Sequence, residues 1–132
     1  MDRVKYLVFA VFFYTTVLGA HQEPCFDRSS MTLVDLFNAF RMREVPFDNT
    51  FGRLFLCMWL EEGVMKEDGT IDMKQLQKFS EFKMKQVKAM SDFNRKNLAK
   101  KLSECHLEPL QIPEQTAIKI RNCHWAIEYD GF

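Results

Sequence analysis

The stretch KEDGTIDMKQL, Lys66 to Leu76, carries the acidic residues and the glycine of a calcium-binding loop. An EF-hand loop takes oxygen ligands at its first, third, fifth and twelfth positions and glycine at its sixth. With Gly69 as that glycine, Asp68 takes the fifth position, but Val64, Lys66 and Gln75 fall at the first, third and twelfth. Valine has no ligand atom, lysine repels the ion and Gln75 lacks the bidentate carboxylate. The segment reads instead as a helix junction, with Asp68 and Gly69 turning the chain and Asp72 with Gln75 supplying an N-cap and its capping-box partner. Other chemistry is as sparse. There is no HExxH, GxSxG or phosphate-binding glycine loop, His21, His106 and His124 have no metal-ligand spacing, and nothing pairs a nucleophile with a base. The sequence predicts no enzyme, no cofactor and no metal site.

The four cysteines, Cys25, Cys57, Cys105 and Cys123, form no CxxC pair that would suggest zinc. The chain start gives them a compartment. Arg3 and Lys5 precede the apolar run Tyr6 to Ala20, which ends in small residues and has the length of a signal-peptide core rather than of a membrane span. Residues 1–20 therefore read as a signal peptide, residues 21–132 as one secreted domain, and the cysteines as two disulfides formed in an oxidising environment. Four cysteines allow three pairings, and spacing alone does not choose among them.

Without Asp2, Arg3 and Lys5 the remaining chain has 16 basic and 17 acidic residues. A nucleic-acid or anionic-membrane partner needs a basic surplus or stripe, and neither is present. The lysines of the middle region alternate with acidic residues and read as a solvated face.

The positioning elements are helical throughout. Leu33, Leu36, Phe37 and Phe40 form an i, i+3, i+4, i+7 stripe on a first helix that ends before Pro46. Phe51 to Leu60 is apolar nearly all round, as in a buried central helix, and stops near Gly63. Two further helices are expected over Asp72 to about Lys88 and Ser91 to about His106. A last one opens with Pro113 and Glu114 in its first turn.

The order CMWLEEGVMKEDGTIDMKQL, a cysteine-bearing helix, a glycine and then a Met-x-x-Asp-Gly-x-Ile-Asp turn into a helix, resembles the segment after the third cysteine of insect odorant-binding proteins of the pheromone/general odorant-binding type. That family usually has six cysteines, with three residues between the second and third and eight between the fifth and sixth. Taking Cys57 and Cys123 as the third and sixth places Arg53 and Glu114 where the second and fifth would stand, as in a minus-C, four-cysteine member. The resemblance implies an all-α, compact bundle of about six short helices around an internal apolar cavity, stapled by Cys25–Cys57 and Cys105–Cys123. It also suggests that Arg53 and Glu114, of opposite charge, pair across the vacated bridge.

Arg53 and Cys57 share one face of the central helix, while Phe55 and Trp59 lie on the other, free to line a cavity. By the resemblance, ligand contacts fall on Phe55, Trp59, Leu102, Ile120 and His124, with Leu36 and Phe40 added from the first helix. His124 or Tyr129 would supply a polar contact. The function so implied is a secreted, non-enzymatic carrier of small hydrophobic molecules such as odorants or pheromones, with a membrane chemoreceptor as its downstream partner and no stable membrane insertion of its own. The alternative is a secreted helical signalling or interaction protein, in which the same aromatics make a dry core.

Overall fold

The structure is a computed structural model that describes residues 25–26, 31–87 and 89–131. The expected signal peptide lies outside these residues. Five helices are described: α1 (Leu33–Arg41), α2 (Asn49–Glu62), α3 (Met73–Lys85), α4 (Asp92–Glu104) and α5 (Pro113–Asp130). About six were expected; of the N-terminal segment only Cys25 and Phe26 are described, and both are helical.

Short polar side chains start four of these helices by accepting the otherwise unpaired N–H groups of the first turn. Thr32 Oγ1 accepts from Asp35 N at 3.1 Å, Asp48 Oδ1 from Thr50 N at 2.8 Å, Asp72 Oδ1 from Gln75 N at 3.1 Å and Ser91 Oγ from Asn94 N at 3.1 Å. α5 starts on Pro113 without a side-chain cap, and Glu114 faces the positive end of its dipole. Gly63 closes α2 at φ 76°, in the left-handed region that favours glycine. The junction between α2 and α3 is the turn expected there: Asp68 Oδ1 accepts from both the N–H and the hydroxyl of Thr70, at 3.0 and 2.7 Å. Asp68 is thereby held below the usual carboxylate range, chiefly by the Thr70 hydroxyl.

The main helix pair is α2 against α5, with α4 joining both α3 and α5. Leu54, Phe55, Met58 and Trp59 of α2 pack with Ala117, Ile120 and Ile127 of α5 in one core, to which α3 adds Leu76, Phe79 and Met84 and α4 adds Leu98 and Leu102. α1 departs from the expected stripe. Leu36 and Ala39 are buried and Phe40 half-buried, but Leu33 and Phe37 are 53% and 57% exposed. The rotation of α1 is set at its far end, where an arginine of α5 grips its last carbonyls; this turns Leu36, Ala39 and Phe40 inward, and the guanidinium of Arg41 lies over the outward Phe37 ring at 4.9 Å.

Candidate functional site

Six aromatic side chains from four helices close into a ring of contacts at the centre of the core. Phe40 meets Phe55 at 5.5 Å between ring centroids, Phe55 meets Trp59 at 6.3 Å and Trp59 meets Phe79 edge-on at 5.0 Å. Phe79 meets His124 at 5.4 Å, His124 meets Trp125 at 4.8 Å, and Trp125 returns to Phe40 at 5.7 Å. Most of these are tilted or edge-on, the arrangements that ring quadrupoles favour. Both indole N–H groups are committed to backbone carbonyls: Trp59 Nε1 donates to Ala117 O at 2.9 Å and Trp125 Nε1 to Phe40 O at 3.1 Å.

On one side of this ring lies a buried polar chain. Ser80 Oγ is 2.7 Å from His124 Nδ1, and both residues are essentially without solvent contact. Glu128 Oε1 approaches His124 Nε2 at 3.4 Å from the margin of the core. Glu128 is held below the usual carboxylate range, chiefly by the His124 N–H that faces it. Lys83, one turn after Ser80, sits over the Phe79 ring at 5.6 Å, and burial lowers its pKa. Serine, imidazole and carboxylate in line have the composition of a hydrolytic triad. However, Ser80 lies inside α3, where the neighbouring backbone N–H groups belong to the helix and supply no oxyanion donors.

On the other side is Arg121, fully buried on α5. Its Nε and Nη2 donate to Ala39 O at 3.1 and 2.7 Å, Nη2 also to Met42 O, and Nη1 to Arg43 O and Asn122 Oδ1, both at 3.0 Å. The guanidinium stacks over Trp125 at 4.8 Å and near Phe55 at 5.7 Å. Desolvation pulls its pKa down to about 10, so it remains charged at neutral pH. Its role is the C-terminal cap of α1, satisfying carbonyls that the helix leaves free.

Of the residues expected to contact a ligand, Phe40, Phe55, Trp59 and His124 stand in the aromatic ring, while Leu36, Leu102 and Ile120 are buried in the surrounding core. Tyr129, the other expected polar contact, is 66% exposed and faces solvent from the end of α5. Phe79, Ser80 and Trp125 were missed, as was the pairing of a serine with a histidine. A signal for the first two was present, since Leu76, Phe79, Ser80 and Met84 fall on one helical face and place a serine within an apolar stripe. The disulfides join Cys25 to Cys57 and Cys105 to Cys123, the pairing that the resemblance implies. The ion pair between Arg53 and Glu114 is not formed: among the described residues Arg53 is exposed and has no carboxylate within ion-pair distance. The two helices nevertheless meet beside it, because Gly52 packs directly on Glu114.

Neither a curated protein nor a solved structure matches the chain. The sequence profile of the PBP/GOBP family matches residues 15–129, nearly the whole length, and the all-helical framework with its two disulfides accords with it. On that match the chain belongs to the PBP/GOBP family, the insect odorant-binding proteins.

Proposed function

We propose that this protein is a secreted, non-enzymatic carrier that takes a small hydrophobic molecule, an odorant, a pheromone or a compound of similar chemistry, into its aromatic centre. The observation that carries this reading is the closed ring of Phe40, Phe55, Trp59, Phe79, His124 and Trp125 beside a buried polar pair. A ligand entering there would leave water for an apolar lining, at about 25 cal/mol per Å² of apolar surface removed. One or two polar groups would orient it. Leu36, Leu102 and Ile120 complete the proposed contact set, and the buried Met58, Met65 and Met84 give the core an adaptable lining. α1 and α3 carry ring residues but no cysteine, so neither is held by a disulfide; α1 is held to α5 by the hydrogen bonds of Arg121 and Trp125, whereas α3 meets α5 through the Ser80–His124 contact.

Two disulfides support an extracellular setting. Among the described residues no helix is long and apolar enough to cross a membrane. A membrane chemoreceptor would then be the recipient of the loaded carrier.

The test is uptake of an apolar naphthylamine fluorophore by the purified mature protein, followed by displacement with volatile compounds. One probe per chain is expected, with weaker binding in a Trp59→Ala protein that keeps its helical spectrum and both disulfides. A folded protein that takes up no probe would instead match the signalling alternative with its dry core.

A further inference from the structure

The near-even charge of residues 21–132 is unevenly placed. Residues 73–104, which fold as α3, its turn and α4, hold nine basic and three acidic residues, whereas the rest of residues 21–132 holds seven basic and fourteen acidic. This hairpin thus carries a net charge of +6 against −7 for the remainder, a surplus that the overall balance conceals. Its three carboxylates leave most of the lysines uncompensated. Glu81 and Asp92 both turn to Arg95, at 3.9 and 2.8 Å, and Glu104 faces Lys100 at 4.0 Å. Lys74, Lys78, Lys85 and Lys96 are exposed and, among the described residues, have no carboxylate within ion-pair distance. The lysines expected to alternate with acidic residues therefore form rows instead.

Helical spacing gathers these rows with exposed aromatic rings. α3 sends Leu76, Phe79, Ser80 and Met84 into the core, so Lys74, Lys78, Phe82 and Lys85, at steps of four, four and three, share its outer face. α4 buries Leu98 and Leu102, which leaves Phe93, Lys96 and Lys100 together on the outside. The two helices pack on each other and feed one core, so their outer faces adjoin, joined by the turn that carries Val87. Phe82, Val87 and Phe93 are 60%, 71% and 73% exposed. A solvated lysine face has no need of large apolar side chains, and apolar groups rimmed by charge mark an interaction surface. Rings set among long basic side chains match the boundary of a bilayer, where apolar groups sink beneath the headgroups and ammonium groups reach back to the phosphates. We propose that the outer face of α3 and α4 docks the protein on an anionic lipid surface, with Phe82, Val87 and Phe93 entering the headgroup boundary and the lysine rows meeting the lipid phosphates. The acidic remainder is repelled by the same surface, which orients the hairpin toward it. The contact is peripheral, since among the described residues no helix is long and apolar enough to cross a membrane. It does not depend on what the core binds.

The experiment sediments the purified mature protein with phosphatidylcholine vesicles that contain or lack phosphatidylserine, at low and at high salt. Binding to the anionic vesicles at low salt should be at least about tenfold tighter than to the neutral ones, and should weaken at high salt as the charges are screened. Phe82→Ser combined with Phe93→Ser should weaken it by about tenfold or more, because both rings lose their burial in lipid. Lys78→Glu combined with Lys96→Glu should abolish it, whereas Arg53→Glu combined with Lys66→Glu, the same change of charge outside the hairpin, should leave most of it intact. All six positions are exposed, so each protein should keep the wild-type helical spectrum, and the lipid comparison with the wild type decides the matter without any variant. No association with anionic vesicles at low salt overturns the proposal, as does equal loss in the two charge-reversed proteins or wild-type binding by the serine variant. Salt-sensitive self-association without lipid, lost in the same hairpin variants, also overturns it, because the acidic surface of a second copy would then be the occupant.

Discussion

Gly52 and Glu114 touch backbone to side chain: a Cβ on Gly52 would stand 2.7 Å from Glu114 Cβ and 3.2 Å from the Glu114 carbonyl oxygen. The missing side chain thus sets how closely α2 approaches the first turn of α5, the two helices that build most of the core.

Gly52→Ala should therefore destabilise the protein by about 1–3 kcal/mol, the usual cost of overpacking, even though alanine is the better helix former by about 1 kcal/mol. Thermal unfolding of the two proteins measures the difference. A midpoint at or above that of the wild type would mean that Glu114 yields freely.

The same approach bears on the vacated cysteine positions. Arg53→Cys combined with Glu114→Cys should form a third disulfide and leave the native two in place, as read by peptide mapping of the non-reduced protein. Two persistent free thiols in an otherwise folded protein would show that the helices are out of the expected register.

Arg121 is a charged residue whose partners are neutral carbonyls, and its removal should cost more than that of any surface arginine. Arg121→Leu strands the C-terminal carbonyls of α1 in the core, at about 1–3 kcal/mol for each one left unsatisfied. Arg121→Lys should also be destabilising by at least about 1 kcal/mol, because an ammonium can neither reach all of these carbonyls nor stack on Trp125. Denaturant midpoints test both, and a lysine variant equal to wild type would show that charge alone is required.

Acid should loosen the C-terminal end of α5 selectively. Arg43 grips Asp130 through two hydrogen bonds, Nε to Oδ1 at 3.0 Å and Nη2 to Oδ2 at 2.7 Å, which hold the Asp130 carboxyl below its ordinary range. Glu128 is lowered as well, by His124. Each carboxyl binds its proton more weakly folded than unfolded, so its stabilisation is fully present above the unfolded pKa of about 4 and is lost as pH falls through the lower folded value. Wild-type unfolding temperature should thus drop more steeply on acidification than that of Asp130→Asn. The difference should be small, since the pair is exposed; identical slopes would remove Asp130 from the acid transition.

Local signals were legible in the sequence where the physics is local. Asp72, Gly63 and Pro113 mark helix boundaries because a cap involves only a few neighbouring residues; the capping box expected of Gln75 is only half made, since the Asp72 N–H donates to Val64 O at 2.7 Å rather than to the Gln75 side chain. The aromatic centre was half legible: Phe55 and Trp59 follow from their shared face on α2, but Trp125 and Phe79 reach them only through tertiary packing of α5 and α3. Arg121 reads as a surface charge in one dimension, since its partners on α1 lie some 80 positions away and are backbone atoms with no side-chain signature. The same grip explains why Leu33 and Phe37, inward by periodicity alone, turn outward.

The two disulfide loops also bear on how a newly made chain reaches this fold. They span 32 and 18 positions and do not interleave, since the first closes at Cys57 before the second opens at Cys105. Either bridge can form without waiting for the other or trapping a segment beneath it. Both alternative pairings require loops longer than either native one, and longer loops are slower and costlier to close. The oxidation pattern of the finished protein is thus the one that random encounters reach first, so the two covalent ties favour the correct connectivity before α3 and its aromatic wall have docked.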